Sequence, residues 1–161
     1  MLINIPKVYF RHVKMKLDET DKNILRVLVD NAKLSYREIA KKVGVSVATV
    51  MHRVNNLEKE KVIKNYTTIV DYDKLNFDVE IMIEMRIAKG KLFQVEKEIA
   101  HHPNVFAVYD LTGGFDAAIL ARFPNRRRMD NFLKKIQTYP FVERTNTRLI
   151  LNTIKEKQIG V

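Results

Sequence analysis

The sequence predicts an α+β protein: an N-terminal helix-turn-helix domain of winged-helix-like type, followed by a ferredoxin-like βαββαβ domain. Three observations carry this. Ser35 to Leu57, SYREIAKKVGVSVATVMHRVNNL, holds two short apolar stripes at helical spacing on either side of Gly44. From Val79 onward the pattern alternates between strand and helix periods in the order β-α-β-β-α-β. The basic excess is uneven: residues 1–66 hold 14 Lys/Arg against 7 Asp/Glu, and residues 67–161 hold 15 against 12, within a net charge of +10. The excess sits where phosphate neutralisation would use it.

Residues 1–16 read as a basic N-terminal extension, or a short arm that touches DNA or a partner subunit. Met15 stands directly before the first helix start and is an alternative initiator, which leaves open whether residues 1–14 are native. Residues 17–66 form the predicted helix-turn-helix domain. Its first helix spans Asp18 to Lys33, with Asp18 as N-cap, Asp21 three residues on, and Ile24, Leu25, Leu28 and Val29 at helical spacing. Its second spans Ser35 to Val43. Ser35 and Glu38 match a capping box, and Ile39, Ala40 and Val43 form the inner stripe. Gly44 suits the left-handed residue that ends the helix. Ser46 caps the third helix, whose inner residues are Val50, Val54 and Leu57.

Val62 to Val70 alternates and is β-rich, so a strand is expected there. Asp71 to Asp78 is turn-rich, and residues 67–78 together read as strand and linker. Residues 79–161 supply the second domain. Its expected elements are a strand over Val79–Ala88, a helix over Leu92–His101, and strands over Val105–Thr112 and Phe115–Phe123. A helix over Pro124–Thr138 and a strand over Val142–Ile154 complete it. Apolar residues fall on both faces of the strands: Ile81, Ile83, Met85 and Ile87 against Met82 and Ala88, and Ala117, Ile119, Ala121 and Phe123 against Ala118 and Leu120. Two helices cover only one face, so the other calls for a second copy of the chain. A two-fold dimer also suits a helix-turn-helix, because it sets recognition helices about one DNA turn apart.

Other classes find little support. The chain has no cysteine, hence no disulfide scaffold, Cys-based zinc site or thiol nucleophile. No apolar run approaches the ~20 residues of a membrane span, and the N-terminus is a poor signal peptide, so a cytoplasmic protein is expected. His101 and His102 lie apart from His12 and His52, and no metal site is expected. No phosphate-binding glycine loop or nucleophile elbow suggests an enzyme. The strand FDAAILARF lacks the aromatics on which an RNA-binding sheet stacks bases.

The pattern as a whole resembles the Lrp/AsnC family of transcriptional regulators. The resemblance rests on LDETDKNIL (Leu17–Leu25), REIAKKVGVS (Arg37–Ser46), RVNNLEKEKVIKNY (Arg53–Tyr66), TGGFDAAI (Thr112–Ile119) and VERTNTRLILNTIKE (Val142–Glu156), in order over roughly 140 residues. It implies a DNA-binding N-terminal domain and a C-terminal domain for effector binding and assembly. It also implies dimers that build into tetramers or octamers, and a small amino acid or related metabolite as effector. The 16-residue lead precedes the family's usual start.

Helical geometry with Val50, Val54 and Leu57 inward turns Ala48, Met51, His52 and Asn55 outward. Val47, Ala48, Thr49 and His52 are therefore assigned to base edges, Val47 and Ala48 suiting thymine methyls. Tyr36, Arg37, Lys41, Ser46 and Arg53 are assigned to phosphates, which position without specifying. The loop Thr112-Gly113-Gly114-Phe115-Asp116 is the effector candidate: its glycines permit close backbone approach, and Asp116 suits an α-ammonium group. The resemblance adds Thr145, Asn146 and Thr147. The expected function is sequence-specific DNA binding modulated by an amino acid. The alternative is an oligomeric metabolite sensor with only non-specific, architectural DNA binding. No cofactor is expected beyond the effector.

Overall fold

The computed structural model describes residues 16–159; the expectations for the N-terminal extension and for Met15 lie outside them. The chain divides into two compact units, one reaching to Thr68 and including the residues from Lys157, the other spanning Ile69–Glu156.

The first unit contains α1 (Glu19–Asp30), α2 (Tyr36–Val43) and α3 (Val47–Lys59). Each helix begins where a side chain can satisfy its free amides. Asp18 and Asp21 form a capping box at α1, Ser35 and Glu38 form one at α2, and Ser46 accepts from the Thr49 amide at α3. Gly44 ends α2 at φ +76°, ψ +34°, and the amides of Gly44 and Val45 both donate to the Ala40 carbonyl. Ile24, Leu28, Ile39, Ala40, Val50 and Val54 form the core between the three helices. After α3, Lys61 takes a left-handed conformation (φ +58°), and the Val62 and Ile63 amides donate to the Leu57 carbonyl.

The expected strand over Val62–Val70 is not formed. Its alternation is real, but a strand exists only beside a hydrogen-bonded neighbour, and none pairs with it among the described residues. Ile69 is 87% exposed.

The second unit is a four-stranded antiparallel sheet in the order β2-β3-β1-β4, made of β1 (Val79–Ile87), β2 (Val105–Asp110), β3 (Ala117–Phe123) and β4 (Val142–Ile150). Two helices, α4 (Leu92–Glu98) and α5 (Arg126–Gln137), complete the ferredoxin-like order. The elements are shorter than their apolar patterns suggested. Leu151–Ile154 continues the β4 pattern with no ladder partner among the described residues, α4 stops before His101, and Asn125 caps α5, so Pro124 precedes the helix rather than filling its first turn.

Ile81, Ile83, Met85 and Ile87 meet Ala117, Ile119, Ala121 and Phe123 on the helix-covered face, with Val95, Ile99, Phe132, Ile136 and Phe141. The opposite face differs from expectation. Met82, Leu120 and Ala118 lie there, but Glu80, Glu84 and Arg86 alternate with them along β1. These are matched: Arg122 Nε lies 2.7 Å from Glu80 Oε2, and Arg148 Nε lies 3.1 Å from Glu84 Oε2. The face is a mixed, charge-paired surface rather than an apolar one. Counting apolar residues strand by strand hid this, because cross-strand register decides which charges meet.

The expected linker is also structured at its end. Asp73–Leu75 forms a single 3-10 turn. The Arg122 guanidinium lies 4.7 Å from the Tyr72 ring and 4.2 Å from the Phe106 ring, and Arg122 Nη2 reaches Glu156 at 3.1 Å. Residues on both sides of the sheet domain thus close around one half-buried arginine.

Candidate nucleic-acid interface and ligand loop

In the first unit, burial of Val50, Val54 and Leu57 fixes the rotation of α3 and leaves Val47, Ala48, Met51, His52 and Asn55 exposed. Tyr36, Arg37 and Lys41 on α2 are exposed as well. Arg37 and Lys41 have no ion-pair partner among the described residues, so their charge is available to an external anion.

Three of the expected DNA-contacting residues are already engaged. Ser46 Oγ accepts from the Thr49 amide at 3.0 Å and shares a hydrogen bond with Thr49 Oγ1 at 2.8 Å. Between them the two hydroxyls keep limited spare capacity for a phosphate or a base edge. Arg53 is turned to α1: its Nη1 lies 2.8 Å from Asp18 Oδ2 and 3.3 Å from Asp21 Oδ1. The Arg53 side chain is 36% exposed and that of Asp21 5%, so Arg53 braces α3 against the α1 cap, and its charge is matched inside the domain. The sequence offered a signal for this, since Asp21 is an acidic residue on the inward side of α1 and needs a counter-charge. Hydrogen bonds from the Asp21 amide and from Arg53 hold the Asp18 carboxyl below its ordinary value.

A second clasp lies behind α3. The Tyr66 hydroxyl donates to Glu58 Oε1 at 2.8 Å; burial and this carboxylate push the Tyr66 ionisation well above its ordinary value. The hydroxyl therefore stays protonated and holds the chain leaving α3 against the helix.

In the second unit the glycine-rich loop joins β2 to β3, and Gly113 takes φ +110°. Thr112, Gly113 and Gly114 are exposed, while Phe115 and Asp116 are half-buried. Asp116 is engaged within the fold. Its Oδ2 accepts from the Ile87 amide at 2.8 Å and lies 3.6 Å from Arg86 Nε, so the carboxylate staples the hairpin to the end of β1. Arg86 Nη1 also reaches the Gly114 carbonyl at 3.3 Å. The Arg144 guanidinium stands 5.9 Å from the Phe115 ring. The three β4 residues divide by strand alternation: Thr145 and Thr147 pair with Met85 and Ile83 on the helix-covered side. Asn146 lies on the other side and donates to Glu84 Oε2 at 2.8 Å. One face of the sheet cannot present all three to a ligand. Among the described residues no cluster of His, Asp and Glu could hold a metal ion, and no helix is long and apolar enough to cross a membrane.

Comparison with known proteins agrees with these units. A winged helix-turn-helix DNA-binding model matches residues 17–64, and the Lrp/AsnC ligand binding domain matches residues 80–159. An uncharacterized HTH-type transcriptional regulator of Pyrococcus furiosus is 37% identical over 142 residues, covering 88% of this chain and 96% of its own. The HTH-type transcriptional regulator FL11 of Pyrococcus horikoshii is 34% identical, covering 89% and 95%. Among solved structures, LrpC of Bacillus subtilis superposes with a TM-score of 0.80 at 30% identity, over 89% of this chain and 100% of that one. The fold is also that of a Neisseria meningitidis regulator solved as an L-Met complex, with TM-score 0.80 and 24% identity over 88% of this chain and 94% of that one.

A winged helix-turn-helix joined to a ligand-binding ferredoxin-like domain defines a DNA-binding transcriptional regulator. The chain belongs to the Lrp/AsnC family.

Proposed function

We propose that the protein is a cytoplasmic, sequence-specific regulator that inserts α3 into the major groove. A small amino acid or related metabolite then modulates its assembly or DNA affinity. The observation that carries the first part is the exposed face of α3 beside two cations with no ion-pair partner among the described residues. Val47, Ala48 and His52 are the base-reading residues, with Thr49 using what its Ser46 bond leaves free; Tyr36, Arg37, Lys41 and Ser46 lie at the backbone. Arg53 is withdrawn from the phosphate set and positions the helix instead.

A second copy pairs through the mixed sheet face, where Met82, Leu120 and Tyr109 supply apolar area between ion pairs that fix register. Larger assemblies, tetramers or octamers, build from that dimer. The ligand approaches the Thr112–Phe115 loop, where exposed backbone amides suit a carboxylate. Asp116 holds the loop in shape rather than binding the ammonium group. Either Thr145 and Thr147 or Asn146 joins the site, according to the face it uses.

Sequencing of DNA selected by the full chain tests the first part: a defined motif whose central bases change in His52→Ala supports it. Selection of unrelated sequences with no motif returns the non-specific, architectural reading. Thermal melting with each of the twenty amino acids tests the second, since a ligand that prefers the folded state raises the melting temperature. No shift and no change of oligomeric state for any of them refutes amino-acid control.

A further inference from the structure

A concavity lies between α5 and the turn that follows α4. It has a volume of about 170 Å³ and is lined by His102, Arg128, Asn131 and Lys135 over Phe123 and Phe132. Arg128, Asn131 and Lys135 fall at i, i+3 and i+7 on α5, one face of the helix. Among the described residues neither Arg128 nor Lys135 has an ion-pair partner and no carboxylate lines the cavity. Like charges gathered without an acid repel one another unless an anion joins them. Burial, with the charge of Lys135, holds His102 below its ordinary ionisation value.

The histidine keeps one ring nitrogen free to donate. His102 Nδ1 accepts the Asn104 amide at 3.2 Å, so the neutral ring carries its proton on Nε2. Its ring packs 4.5 Å from that of Phe132, which fixes the plane. The cavity is small beside the roughly 300–1,000 Å³ of a drug-sized site. Its volume accommodates a tetrahedral oxyanion.

We propose that this cavity binds the phosphate group of a small solute, inorganic phosphate or a phosphomonoester, through Arg128, Lys135, Asn131 and the Nε2–H of His102. Arg126 and Arg127 on the same helix are also exposed and do not line it. They supply the control against general charge screening.

The test follows the His102 ring resonances of the full chain while inorganic phosphate replaces chloride at constant ionic strength and pH. The expected result is a saturable shift, with half-saturation raised about tenfold in Arg128→Gln and in Lys135→Gln and unchanged in Arg126→Gln. A shift that never saturates, or one weakened equally in all three variants, overturns the site. A short DNA duplex that moves the same resonances with the same dependence on Arg128 and Lys135, where phosphate does not, overturns the small-solute ligand.

Discussion

Replacing Gly44 by alanine isolates the contribution of one backbone conformation to the reading head. Gly44 sits at φ +76°, ψ +34°, and a Cβ built there meets no atom within 4 Å. Packing therefore adds nothing to the cost, and only the left-handed backbone counts. That conformation costs an L-residue about 1–2 kcal/mol. Alanine also restricts the unfolded chain, which returns about 0.4–1 kcal/mol. The net expectation is a loss of about 1 kcal/mol, roughly a fivefold drop in the folding constant of the helix-turn-helix unit. Gly44→Asn should lose less, about half that, because asparagine tolerates the left-handed region. Gly44→Val should lose more, since a β-branched side chain is a true outlier there. Urea denaturation followed by far-UV circular dichroism and tyrosine fluorescence measures all three. A loss above about 3 kcal/mol for alanine would mean that the side chain meets something the geometry does not show. Equal losses for alanine and asparagine would refute the conformational explanation outright.

Four further outcomes are expected. Arg37→Gln and Lys41→Gln should each weaken binding to all DNA sequences alike and flatten the log–log salt dependence by about one; an unchanged slope in the double variant removes both from the phosphate set. Lys61→Gly should raise stability by about 0.5–1 kcal/mol, because Lys61 holds φ +58° after α3; a decrease would show that the lysine side chain matters more than its backbone. Hydrogen bonds from the Ser35 hydroxyl and amide hold the Glu38 carboxyl below its ordinary value. The stability it contributes is present above the ordinary carboxylate range and lost as pH falls through the lowered value, so Glu38→Gln should flatten the acid limb of a stability–pH curve. Asp116→Asn should lower the melting temperature without any ligand present, as loss of a structural staple predicts; a variant that melts normally but loses an amino-acid response would return Asp116 to the ligand site.

Local chemistry made the helices of the first unit legible. Ser35, Glu38, Gly44 and Ser46 act within four residues of themselves, so their caps and turn follow from spacing alone. The period of Val50, Val54 and Leu57 fixed which side of α3 faces out, and the alternating periods after Val79 fixed the βαββαβ order. Those properties belong to short stretches of chain, and a short stretch contains all the information that decides them. Tertiary structure decided what depends on residues far apart in sequence. Arg53 reads as a surface cation until α1 brings Asp18 and Asp21 to it across 32 residues or more. Asp116 reads as a free carboxylate until the hairpin sets it on the Ile87 amide. Glu80 and Glu84 look misplaced on an apolar strand until register supplies Arg122, Asn146 and Arg148. Val62–Val70 shows the converse: it carries the pattern of a strand, and no strand among the described residues pairs with it. A side chain's role is set by whatever completes its hydrogen bonds and balances its charge, and for these residues that partner is chosen by the fold.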